Sequence, residues 1–321
     1  SFYGSGSSVY IEVVDADVDS TGSPDIITVQ IMSPTEVGWE SVTLSETGAA
    51  TDTFHGVINL SVGGGISGDG ILQVSFGDSI VVKYDDAKDD YGFPVSITEK
   101  AIFANTIVSD TLTGTEHWYA SGSPYLVTED IAVDSTDTLY IHPGVEVRFL
   151  ADAQNRKQLD INGVLRAVGK ADSLIRFTSN SYTPNRGDWQ GIMFSQYGYG
   201  SHRPHLLDYC AVEYALNGIS SSYRIDTMTV VKNSIIRNCS GTGVYSPSSI
   251  KIISCTIDSC GGSGFEAQNS MDSSYIVIRN TLIRNNDSYG IYVNGSSYQQ
   301  PVIVDISGDS ITGNGYQAVY M

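Results

Sequence analysis

Basic residues are scarce in this chain. Lysine and arginine total 17 against 36 aspartates and glutamates, a formal net charge of −19. That balance argues against nucleic acid as a partner, because its phosphates would be repelled. Long apolar runs are missing as well. No stretch approaches the roughly 18 residues of a membrane-spanning helix. Apolar residues nowhere recur with a 3.6-residue period, so almost no helix is expected. The four cysteines contain no C-x-x-C pair, which argues against zinc. There is no initiator Met and no signal peptide. The chain opens at Ser1 as a processed chain or an excised fragment would, and it stops at Tyr320-Met321 inside a strand. The expectation is that the protein continues, or that another molecule covers this end.

What the sequence does have is repetition. Asn233-Ser-Ile-Ile-Arg-Asn238, Ser254-Cys-Thr-Ile-Asp-Ser259, Asn280-Thr-Leu-Ile-Arg-Asn285 and Gly308-Asp-Ser-Ile-Thr-Gly313 align on Ile236, Ile257, Ile283 and Ile311. Seven residues later comes Gly243, Gly264, Gly290 or Ala318, each followed by an apolar residue. The spacing varies (21, 26 and 28 residues) while the strand wording does not. Solenoids behave this way, since insertions fall in the turns. Each repeat divides into three short β-branched or aromatic segments separated by Gly, Asn and Ser. A leucine-rich repeat has a similar period but needs several fixed leucines, and these repeats hold only Leu282.

Equivalent residues of successive turns stack about 4.8 Å apart. Val212, Ile236, Ile257, Ile283 and Ile311 then form one inward column, and Val244, Phe265, Ile291 and Val319 a second. Asn238, Ser259 and Asn285 form a polar turn column. The outward column Glu213, Arg237, Asp258, Arg284 alternates in sign, which reads as a charge ladder rather than a catalytic base. Buried free thiols filling a stack are the first reading for all four cysteines; Cys239 and Cys260 share a column in adjacent turns, within disulfide range, and are the one candidate bridge. Cys210 and Cys255 have Ser234 between them and cannot bridge.

Upstream, Leu139-Tyr-Ile-His-Pro-Gly-Val-Glu-Val-Arg-Phe149, Leu159-Asp-Ile-Asn-Gly-Val-Leu-Arg-Ala-Val-Gly169, Ile175-Arg-Phe-Thr-Ser179 and Gly187-Asp-Trp-Gln-Gly-Ile-Met-Phe194 extend the pattern. With these motifs, residues 123–321 resemble the right-handed parallel β-helix modules of secreted and surface-anchored microbial proteins. The resemblance implies a fold and leaves activity open, because such modules occur in enzymes and in inert stalks.

The first hundred residues read differently. Strands are expected at 9–14, 25–32, 41–45, 53–60, 70–75, 79–84 and 95–103, with turn signals between them. Trp39-Glu-Ser-Val-Thr-Leu-Ser-Glu-Thr-Gly48, followed by Thr53-Phe-His-Gly-Val-Ile58, is similar to Ig-like modules of prokaryotic surface proteins. The expected organisation is all-β: a flexible arm (1–8), an Ig-like β-sandwich (9–103), a linker or cap (104–122) and a right-handed parallel β-helix (123–321).

Asp15, Asp17 and Asp19 follow the first strand of the sandwich, and Asp85, Asp86, Asp89 and Asp90 follow the sixth. Clustered carboxylates on loops suit calcium, although the spacing lacks the Gly and Glu of an EF-hand. In a standard Ig order the two loops lie at opposite poles, which argues against a shared ion. His202 and His205 are a weaker metal candidate. Outward Tyr245, Glu266, Tyr292 and Tyr320 share a column and form a candidate platform for a sugar or a partner protein. Glycoside hydrolysis needs two carboxylates about one bond, and no such pair stands out in the helical region. Sequons at Asn59, Asn238, Asn286 and Asn294 permit glycosylation in a suitable host. The sequence therefore points to a non-enzymatic extracellular structural protein, either an adhesin or stalk module or a subunit of a self-assembling surface fibre. Its expected partners are further copies of itself, bound head to tail through the arm, or other surface proteins, or a glycan. A polysaccharide-binding or polysaccharide-cleaving β-helix is the alternative.

Overall fold

A computed structural model describes every residue except 1, 4–6, 19–21, 37, 50, 89–91, 104–105, 182, 196–203, 223–227, 269–273 and 295–301. The chain divides into two compact units, 1–105 and 106–321.

The first unit holds β1 (Phe2–Tyr3), β2 (Ser8–Val14), β3 (Ile26–Met32), β4 (Glu40–Glu46), β5 (Thr53–Val62), β6 (Ile71–Val74), β7 (Ser79–Asp86) and β8 (Val95–Phe103). The seven expected strands are β2 to β8. Pairing runs β1-β8-β7-β3-β4-β5-β2, with β6 added to β5. All pairs are antiparallel except β1–β8 and β5–β6. Strand β4 alternates buried and exposed residues without interruption, as a strand with one face on a core must. The core gathers Val29, Ile31, Leu44, Phe54, Leu72 and Phe103. This antiparallel arrangement is consistent with a sandwich. The N-terminal residues expected as a free arm are partly tied down. Phe2 and Tyr3 pair in parallel with Ile102 and Phe103, and Tyr3 packs on the core.

The second unit is a parallel β-helix. Three parallel sheets run along it, and each full turn from Tyr125 on contributes one strand to each. The first sheet runs from Thr115–Trp118 to Ile303–Ser307, the second from Thr106–Val108 to Ser310–Thr312, and the third from Ile131–Val133 to Val319–Tyr320. Residues 106–122, expected as linker or cap, open the coil. Thr106–Val108 pairs with Tyr125–Val127, and Thr115–Trp118 with Thr138–Ile141. The inward columns are those of the alignment. Val212, Ile236, Ile257, Ile283 and Ile311 stand in register, as do Val244, Phe265, Ile291 and Val319. Burying each such side chain contributes roughly 1.5–3 kcal/mol.

The structure explains the repeated wording. Each six-residue motif is a three-residue strand with a left-handed residue at either end. One column of positive φ is Tyr209, Asn233, Ser254, Asn280, Gly308, and the other is Tyr214, Asn238, Ser259, Asn285, Gly313. Asn and Gly tolerate this conformation better than other residues. The glycines seven residues on serve close approach instead. A Cβ on Gly243 would stand 2.6 Å from Ile257 Cγ2 and 2.7 Å from the Gly264 carbonyl.

Candidate functional site

In the sandwich-like unit, β2 and β7 run to the same end, so the turns leaving them face each other. The expectation that these loops lie at opposite poles is therefore wrong. Asp15, Asp17 and Asp86 each offer a carboxylate oxygen within 4.8 Å of the others. Asp15 is buried and accepts the Tyr84 hydroxyl at 2.6 Å and the Asp17 backbone N–H at 3.2 Å. Burial raises the Asp15 pKa, but hydrogen bonds from Asp17, Tyr84 and the local backbone outweigh it and hold the group below the usual carboxylate value. The hydrogen bond to Asp15 raises Asp17, which therefore keeps its proton longer. Burial, then Asp15, pushes the Tyr84 hydroxyl up, so it stays a donor.

Asp85 does not belong to this cluster. Strand alternation turns it to the other face of β7, where Lys83 lies 2.8 Å away and Ser96 donates to it. Asp19, Asp89 and Asp90 lie outside the described residues. Three carboxylates from two turns are the donor type calcium takes, though they supply only part of its six to eight oxygens.

The cluster closes one end of a groove of about 770 Å³. One wall is β2, from Val9 to Val14, and the other is β8, at Ile97, Glu99, Lys100 and Ala101. The floor is β7, whose Ile80, Val82, Tyr84 and Asp86 point inward at every second position. The sequence reading missed this groove, because it depends on which strand edges the fold leaves unpaired.

On the β-helix, Tyr245, Glu266, Tyr292 and Tyr320 occupy one outward ladder as aligned. Tyr292 stacks on Tyr320 with ring centroids 5.1 Å apart. Two further tyrosines join from the turns before this strand. Tyr289 lies 5.0 Å from Tyr292 and 5.2 Å from Tyr316. Tyr316 is 66% exposed, so the cluster is open to solvent. Glu266, one turn below Tyr292, accepts from Thr242 at 3.2 Å and from Gln268. The one signal for Tyr289 in sequence was its place directly before Gly290. A second aromatic stack, unforeseen, joins Tyr119, His142, His117 and Tyr140 near the start of the coil, with His117 Nδ1 and His142 Nε2 3.0 Å apart.

Several of the outward charges are paired between turns. Glu213, 1% exposed, holds Arg176 at 2.6 Å through Oε2 and Arg237 through Oε1. Asp258 pairs with Arg284 at 2.9 Å, Asp208 with Lys232 at 3.0 Å, Glu129 with Lys157 at 2.9 Å, and Asp305 with Arg279. Burial raises the Asp258 pKa, but Ser259, Arg284 and Asn285 together hold it below the usual value. Asp188 caps its own turn, accepting from Ser179 at 2.6 Å and from the Asn185 backbone N–H at 2.9 Å.

All four cysteines are buried free thiols. Cys239 and Cys260 stack as aligned, and the hydrogen bond between them, with burial, holds Cys239 well above its ordinary value. Below them the column continues as asparagine: Asn286 Oδ1 accepts from the Cys260 backbone N–H at 3.0 Å, and Asn286 Nδ2 donates to Asn314 at 2.9 Å. Asn286 is 1% exposed, so that sequon is closed to glycosylation. His205 is buried and its Nδ1 accepts from the Leu165 backbone N–H at 3.4 Å. His202 lies outside the described residues.

Residues 169–321 match the family model of the right-handed beta helix region. The match agrees with the stacked parallel sheets over the same span. No curated protein matches the chain.

Proposed function

We propose that this chain is a non-enzymatic structural protein of the extracellular surface, an adhesin or stalk module or a subunit of a self-assembling fibre. The observation that carries the reading is the use of charge on the β-helix. Glu129, Asp208, Glu213, Asp258 and Asp305 each pair with a cation from a neighbouring turn. A glycosidase or lyase needs carboxylates or a base free to act on a bound sugar. Here these groups lace one turn to the next. Such a coil serves as a rigid spacer, and the sandwich-like unit and the tyrosine cluster supply its contacts.

Negative-stain electron microscopy with calcium and with chelator tests the assembly form. Ordered filaments make the chain a fibre subunit, and isolated particles in both conditions make it a display module. Turnover of a polysaccharide would overturn the reading.

The exposed cluster of Tyr289, Tyr292, Tyr316 and Tyr320 favours a second reading, a polysaccharide-binding β-helix. Rings beside a carboxylate suit the apolar faces and hydroxyls of a sugar. The fold admits both readings, since β-helices include structural and polysaccharide-active proteins.

A further inference from the structure

His117 and His142 meet on the outer face of the first sheet of the coil, one turn apart. His117 stands beside Tyr140 in the ladder, and the His142 backbone N–H donates to the Trp118 carbonyl at 2.9 Å. Strand alternation turns both side chains outward, because their neighbours Trp118 and Ile141 belong to the core. His117 is exposed and His142 half-buried, so solvent reaches the pair. Each ring lies flat against a tyrosine. Tyr140 stacks on His117 with centroids 4.6 Å apart and planes at 6°, and Tyr119 on His142 at 4.3 Å and 7°.

The two imidazoles face each other edge to edge. His117 Nδ1 and His142 Nε2 are 3.0 Å apart, the ring centroids 5.3 Å apart, and the planes differ by 18°. The centroid separation equals the nitrogen gap plus the two ring radii, so centroid, nitrogen, nitrogen and centroid fall on one line. One nitrogen donates and the other accepts, so the bond holds a single proton. Ring nitrogens aimed straight at each other suit an ion that takes two ligands on opposite sides. A tetrahedral or square-planar ion needs lone pairs that converge at an angle, and further ligands besides. Among the described residues no third histidine, cysteine or carboxylate joins the pair; the one group of three is Asp15, Asp17 and Asp86. Imidazole suits copper, and Cu(I), with its filled d shell, accepts two such ligands in line. Two bonds of about 2 Å put the nitrogens about 4 Å apart, so each ring slides outward by about half an ångström. Flat stacking on a tyrosine leaves that in-plane slide open.

We propose that His117 and His142 form a linear two-nitrogen site for Cu(I). The ion takes the place of the shared proton, which moves to the outer nitrogen of the donor ring, so both imidazoles stay neutral. The site rests on these two turns alone and does not depend on whether the chain is a stalk, a fibre subunit or a sugar binder.

The test titrates the full chain with Cu(I), without oxygen, against a chromogenic Cu(I) chelator, and then records copper X-ray absorption. One ion per chain should bind, with two nitrogen scatterers at about 2 Å. His117→Gln and His142→Gln should each weaken binding at least tenfold. His55→Gln, at an exposed histidine paired with Glu12 in the other unit, should leave it unchanged. The competing ligands are the four buried thiols, whose sulfur would scatter at about 2.3 Å. The spectrum of the unmodified chain needs no variant to fold. Three results would overturn the site: no ion won from the chelator, sulfur scattering in place of nitrogen, or affinity unchanged in both His117→Gln and His142→Gln.

Discussion

Arg176 Nη1 lies 2.6 Å from Glu213 Oε2, although 37 residues separate them in sequence. Arg237 reaches the other oxygen of the same carboxylate from the next turn. The indole of Trp189, stacked at 3.9 Å on Phe149, donates to the Glu213 carbonyl at 2.8 Å. One buried residue thus ties three turns together. Both arginine side chains stay nearly half exposed, so each alone is worth little, while the carboxylate is hidden and depends on them together. Replacing both by alanine leaves an uncompensated buried charge and costs about 3–5 kcal/mol. Either single change costs much less. Glu213→Gln added to the double variant recovers much of the loss. Thermal midpoints of the four chains check this, and additive single effects would contradict it.

Burial, aided by nearby Arg166, pulls the His205 pKa from 6.5 down to about 4. Between these values the unfolded chain binds a proton that the folded chain refuses. The His205 contribution to stability is therefore constant above pH 6.5 and is lost as pH drops to 4, by roughly 3 kcal/mol in all. His205→Gln should remove this slope while lowering stability at pH 7. Urea unfolding at pH 7, 6, 5 and 4.5 measures it. An unchanged slope in the variant would reject the assignment.

Asp15, Asp17 and Asp86 converge within 4.8 Å, and a proton bound there competes with a cation. Calcium should raise the thermal midpoint at pH 7 and lose its effect as pH falls into the carboxylate range, where the proton competes. Asp17→Asn should abolish the response, and Asp85→Asn, on the other face of β7, should leave it intact. Differential scanning fluorimetry with calcium and with chelator checks all three. A flat response in the unmodified chain rejects calcium.

Tyr292 stands at the centre of the aromatic cluster, against both Tyr289 and Tyr320. If the cluster binds glycan, Tyr292→Ala should weaken retention on immobilised polysaccharide at least tenfold with the midpoint nearly unchanged. A large fall in midpoint with retention intact would make the stack structural.

Much of the coil was legible because its local rules repeat. A left-handed residue must close each end of a three-residue strand, so Asn, Ser and Gly return at 233, 254, 280 and 308, and the isoleucine between them returns with them. The charge ladder was legible for the same reason, since Arg237 follows Ile236 wherever Ile236 is placed. The first turn was not. Thr106–Val108 and Thr115–Trp118 share no wording with the later turns, and pairing alone assigns them. Tyr316 also escaped, because it reaches the cluster from a turn, where strand alternation predicts nothing. The Asp15–Asp86 convergence depends on β2 and β7 ending at the same side of the unit, which no local pattern encodes. Asp85 was misassigned because the sequence gives the cluster, while the strand divides its members between two faces.

The central claim is that the charged groups of the coil hold turns together and do not act on sugar. The most direct measurement incubates the purified chain with a panel of neutral and acidic polysaccharides, with and without calcium, and follows new reducing ends and unsaturated uronate absorbance. The account predicts no release above a boiled control from any polymer. Release from one polymer, abolished by Glu213→Gln, Asp258→Asn or Glu266→Gln in a chain that still folds, would contradict it.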